Sequence, residues 1–174
     1  MGGAGAAPPI VSITEAQAYV RIETGEEEAV LAGLIRTASA ICESFINQLV
    51  IARDFAVDVP ASGQWERLPL TPVQSITGVD TGDGGTPIDS AAYSTDIDSS
   101  GDGWVRVVAP DGARRVRVLG SAGIAVDENG VPEPIRQGVI RLVAHLFSSR
   151  DGDGGEPPAA VTALWRPYRR MRLS

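Results

Sequence analysis

Few side chains in this 174-residue chain are equipped for chemistry. His145 is the single histidine and Cys42 the single cysteine. One of each cannot assemble a zinc site of known ligand spacing. A Ser-His-Asp triad could draw only on His145, which falls within an expected helix beside an apolar stripe. Cys42 sits on the apolar stripe of another expected helix. It has no Gly-rich turn or helix N-terminus to activate its thiol. Cys42 reads as a packing residue and His145 as a packed or surface histidine. The run Asp96-Ile97-Asp98-Ser99-Ser100-Gly101-Asp102 imitates the start of a calcium loop, with ligand types at the first, third and fifth positions and Gly at the sixth. The twelfth position is Val107, where such a loop needs a bidentate Glu, and the flanks read as strands. A polar turn is the expectation. Asp151-Gly152-Asp153 is weaker still. Neither phosphate-loop motif, Gly-x-x-x-x-Gly-Lys or Gly-x-Gly-x-x-Gly, is present, and no carboxylate pair has a predictable separation. The sequence therefore predicts no enzyme, no metal site and no cofactor.

What remains is the C-terminal stretch Leu164-Trp165-Arg166-Pro167-Tyr168-Arg169. Basic residues interleave with aromatics only there, over Trp165 to Arg172. All 15 basic residues of the chain are Arg. Residues 166–174 hold four Arg and no acid, a net of +4, whereas residues 1–165 hold 11 Arg against 22 acids, a net of −11. An acidic body with a basic end suggests an end that docks onto something acidic or aromatic, although a frayed, solvated tail fits the charge equally well. The overall charge of −7 argues against a general nucleic-acid binder.

The elements that must carry this ending follow from periodicity. Hydrophobic content of 43% supports a real core, and only 5% is aromatic, so Val, Ile, Leu and Ala must build it. Residues 1–10 read as a flexible leader. They lack the basic region and apolar run of a signal peptide. No uninterrupted apolar run approaches the length of a membrane span. Ser12 with Glu15, or Thr14 with Gln17, can form a capping box for a short helix over Thr14–Ile22. Glu26, Glu27 and Glu28 open a long helix with apolar residues at Val30, Leu31, Leu34, Ile35, Ala38, Ile41, Cys42, Phe45, Ile46 and Leu49. The period then changes. Ile51–Val59, Trp65–Leu70, Val73–Asp80, Tyr93–Ile97, Gly103–Val108 and Arg114–Leu119 read as short strands, the last two joined by an Asp111-Gly112 hairpin turn. Pro132 and Pro134 open a helix that runs to about Arg150, with Ile135, Val139, Leu142, Val143, Leu146 and Phe147 on its apolar stripe. A loop over Asp151–Pro158 leads to a short helix, Ala159–Trp165.

The expected fold is α+β: a helical bundle framework (helices within 13–49 and 132–150) with a small antiparallel β subdomain inserted over 50–121. The leader 1–10, a single domain over 11–165 and a basic C-terminal docking tail over 166–174 complete the expected organisation.

Three blocks of this framework resemble the head–tail connector (head-completion adaptor) proteins of long-tailed bacteriophages and of gene transfer agents. They are Ile13–Ile22 followed by Glu26–Leu49, then Val131-Pro132-Glu133-Pro134-Ile135-Arg136-Gln137-Gly138-Val139 through Ala144–Phe147 and Arg150, then Pro158–Arg169. Their order and spacing together carry the resemblance. The β region departs from the smallest family members, whose insertion is shorter. The resemblance implies a virion protein at the head–tail interface, assembled in the host cytoplasm. It implies a ring of copies, usually a dodecamer, under the portal protein, with a stopper or tail-completion protein attached below. DNA would pass through without specific binding, and no membrane is involved. Leu164, Trp165, Arg166, Tyr168, Arg169, Arg170 and Arg172 would be the portal-binding residues. The alternative from a different class is a binding module whose β subdomain recognises a protein or carbohydrate through Trp65 or Trp104.

Overall fold

A computed structural model describes residues 7–21, 27–82, 85–108, 114–149 and 156–171. The expected Asp111-Gly112 turn, the Asp151-Gly152-Asp153 run and Arg172 lie outside them. The fold is α+β and divides into two compact units, one over residues 52–124 and one combining 7–51 with 125–174.

The second unit is helical: α1 (Ile13–Val20), α2 (Glu28–Ile46), α3 (Glu133–Ser148) and α4 (Ala159–Trp165). Ser12 caps α1 by accepting from the Glu15 N–H at 3.1 Å, which is half of the capping box. The capped helix stops at Arg21, a non-glycine residue in the left-handed region. Ile10 is fully buried and its N–H donates to the buried Ser39 hydroxyl at 3.1 Å. The end of the expected leader is therefore core, because a buried Ser needs a partner and Ile10 supplies one. α2 buries Leu31, Ile35, Ala38, Ser39, Cys42 and Ile46. It ends three residues before the expected Leu49, since Asn47 turns left-handed with φ 56°. With 19 residues, α2 is long and apolar enough to cross a membrane by length and composition. Its buried stripe, and the charged Glu28, Arg36 and Glu43 along it, suit a core helix instead. Arg136 of α3 donates to Glu15 of α1 at 2.7 Å, and that hydrogen bond holds its guanidinium above the ordinary arginine pKa despite the opposing effect of burial. The chain leaves this unit at Ile51 and re-enters at Ala125, and these two residues form a parallel bridge.

The β unit holds two three-stranded antiparallel sheets. The first has the order β1 (Arg53–Pro60), β6 (Arg115–Ala122), β3 (Val73–Asp80); the second has the order β2 (Trp65–Arg67), β5 (Gly103–Val107), β4 (Tyr93–Ile97). The expected β5–β6 hairpin is not formed. β6 pairs with β1 and β3, while β5 pairs with β2 and β4. Alternation is the same whichever neighbour a strand takes, so it could not specify the partner. In β5, Val105 and Val107 are buried while Arg106 is exposed, as strand alternation requires, and Val108 just beyond the strand is exposed as well. β2 stops at Arg67, ahead of Pro69, which has no N–H to give a ladder.

Gly120 sits in the middle of the central strand, opposite Phe55. A Cβ there would meet Phe55 Cζ at 2.7 Å and overlap the Ser75 carbonyl. That carbonyl belongs to β3, whose register against β6 shifts on either side of Ser75 and Ile76. Gly120→Ala is therefore expected to destabilise the protein by roughly 1–3 kcal/mol through overpacking, read by urea denaturation. Cys42 provides a second test. Burial, and secondarily the charge of Glu43, pushes its thiol well above the ordinary range. Since the thiolate is the reactive form, labelling by a disulfide reagent at pH 8 is expected only once denaturant is added. Rapid labelling of the native protein would contradict this placement.

Candidate functional site

The C-terminal ending is built onto α2 and α3. Trp165 closes α4 with 0% of its surface exposed. Its indole lies on Gly138 of α3, where a Cβ would meet Cε2 at 2.7 Å. The indole N–H donates to the Ile135 carbonyl at 3.2 Å, and the ring tilts against Phe45 of α2 with centroids 5.8 Å apart. A buried indole thus has both its apolar surface and its donor satisfied. Glycine in a helix interior costs about 1 kcal/mol relative to Ala. Here the missing Cβ is the room the indole needs.

Beyond Trp165 the chain makes one 3-10 turn, Arg166–Tyr168, and then runs along the end of α2. The Arg170 N–H donates to the Ile46 carbonyl at 2.9 Å, one of the helix-end carbonyls that lack a partner within the helix. Asn47 Nδ2 donates to the Arg170 carbonyl at 3.4 Å, and Gln48 Nε2 donates to the Tyr168 carbonyl. The Arg169 guanidinium carbon lies 5.5 Å from the Phe45 ring centroid. Two arginines at the negative end of a helix dipole are favourably placed. Residues 166–171 are thus held on the protein's own body.

The seven expected portal-binding residues therefore divide. Trp165 is core, because its large apolar surface and its donor are both better satisfied inside. Leu164, Tyr168 and Arg170 are half-buried, Arg166 and Arg169 are exposed, and Arg172 lies outside the described residues. The residues that receive the segment, Phe45, Asn47, Gln48 and Gly138, were not expected. A glycine in the middle of α3's apolar stripe was the available signal, since that position otherwise favours Ala.

The other candidates resolve as local structure. The Asp98 carboxylate accepts from the N–H groups of Ser100 and Asp102 and from Trp104 Nε1, at 2.8, 3.0 and 3.1 Å. Asp102 pairs with Arg67 at 2.7 Å. Those bonds make a polar turn. Trp104 is half-buried by this contact, while Trp65, on the edge strand β2, is 45% exposed. His145 lies in the last turn of α3, half-buried.

No protein-family model and no curated protein matches the chain. Solved structures do match, among them chains of gene transfer agent particles and of their necks. A chain of the neck of an empty gene transfer agent particle, computed with C6 symmetry, is 25% identical with a TM-score of 0.76, over 100% of this chain and 97% of that one. A chain of the virion of a native gene transfer agent particle is 24% identical at 0.76, over 98% and 95%. A chain of the neck of a native particle, computed with C12 symmetry, is 22% identical at 0.75, over 100% and 97%. The chain shares the fold of these particle proteins along essentially its whole length.

Gly138→Ala tests the Trp165 seat. Helix propensity alone favours Ala by about 1 kcal/mol. Displacing the indole costs roughly 1–3 kcal/mol, plus ~1 kcal/mol for its hydrogen bond. Net destabilisation is expected in thermal unfolding; a stabilised Gly138→Ala protein would contradict the packing.

Proposed function

We propose that this chain is a structural head–tail connector subunit at the neck of a gene-transfer-agent-type, phage-like particle. The observation that carries this reading is the match, over 100% of the chain, to a gene transfer agent neck chain. The role is structural and not catalytic. The one cysteine is buried with its thiol held protonated, which suits packing. In this reading copies form a ring under the portal protein, extend the DNA channel and present a platform to the stopper or tail-completion protein. The C6 and C12 symmetries belong to the neighbours' assemblies, and they support a ring here.

Within that role the C-terminal ending docks on the portal. Its portal-facing residues are Arg166, Tyr168, Arg169, Arg170 and Arg172, flanked by Leu164. Trp165 serves the same end indirectly by fixing where the segment leaves the body. A segment already ordered on its own body loses less conformational entropy on docking than a free tail would. Arg is also a residue type favoured at interface hot spots.

The test is capture by an isolated portal ring, followed by size-exclusion chromatography and native mass spectrometry. Wild-type chain is expected to co-elute with the ring. The charge-reversed protein Arg166→Glu/Arg169→Glu, which leaves Trp165 untouched, is expected to fold with a loss of about 1 kcal/mol from the α2 end and to fail to co-elute. Undiminished capture of that variant would remove the docking role, and absence of wild-type capture would count against the connector reading itself.

A further inference from the structure

Three arginines of the β unit share one recess. Arg114, Arg115 and Arg117 line a recess of about 340 Å³ together with Asp58, Thr81, Gly82 and Val116. Three guanidinium groups share it with one carboxylate, a net of +2 in a chain whose formal charge is −7. The strand geometry creates the cluster. Val116 and Val118 of β6 are buried, so Arg115 and Arg117 take the opposite face of the sheet, over Asp58 of β1.

Two of the arginines are held in place. Arg115 Nη2 donates to the Asp58 carbonyl at 2.8 Å, and Arg117 Nε donates to the Asp58 carboxylate at 3.2 Å. Each guanidinium carries five donors, and these bonds occupy one on each. Among the described residues, Arg114 and Arg115 form no ion pair. Asp58 therefore orients the pair while neutralising one charge of three. Arg114 is exposed just ahead of the strand, and Thr81 adds a neutral hydroxyl at the far end of β3.

We propose that Arg114, Arg115 and Arg117 form a binding site for a phosphate group, free or in a nucleic-acid backbone. Several guanidinium donors lining one recess suit a tetrahedral group with several acceptor oxygens better than a planar carboxylate, which one guanidinium fork satisfies. Such a contact reads charge and not sequence. It does not depend on the connector reading.

Two probes separate the sources: inorganic phosphate by titration calorimetry, and a short random-sequence DNA duplex by fluorescence anisotropy. Binding of either supports the site, and the duplex affinity is expected to fall steeply with salt. Arg114→Gln/Arg115→Gln should weaken binding by about 10-fold without lowering the melting temperature. Arg114→Gln alone, outside the strand, should weaken it in the same direction. Arg166→Gln/Arg169→Gln should leave it unchanged. The proposal is overturned if neither probe binds at low ionic strength, if the Arg114/Arg115 variants bind like wild type, or if only the C-terminal variant loses binding.

Discussion

The helical unit depends on the place where the Trp165 indole lies against Gly138. The fit works in one direction only. A side chain at residue 138 would fill the space, and a smaller residue at 165 would leave it empty. The indole donor also ends on the Ile135 carbonyl one turn earlier, so the ring is fixed in orientation as well as depth. Burying an indole of this size contributes a few kcal/mol, a large fraction of the stability of a small protein. Because Trp165 is the last residue of α4, its seat also determines where the following arginines begin.

The rest of the ending follows from α2. A helix that stops at Asn47 leaves carbonyls without partners, and the Arg170 N–H completes one of them. Phe45 contacts both Trp165 and Arg169, linking core to surface within one turn. The basic ending is therefore an ordered edge of the body up to residue 171. Its charge is held in a fixed position, and in the proposed docking role that favours specific contact over diffuse attraction.

Much of this was legible in the sequence, for identifiable reasons. Strong 3.6-residue periodicity placed α2 and α3, and α4 was read at its observed bounds, Ala159–Trp165. Period-two alternation found the strands. Strand partnership was not legible, because β5 and β6 have the same alternation whether they pair with each other or with others. The burial of Trp165 was not legible for a related reason. A tryptophan beside arginines looks like an interface residue, and only the empty volume above Gly138 reveals that it belongs to the core. The Arg114–Arg117 cluster was hidden by the same alternation, read as a strand face and not as charge gathered around Asp58.

A place for this chain at the particle neck is tested most directly by locating it in intact particles. Cryo-electron microscopy of purified particles, reconstructed around the head–tail vertex, should show this fold as one ring between portal and tail. Particles that lack the protein, or that carry it across the capsid shell and not at the neck, would contradict the account.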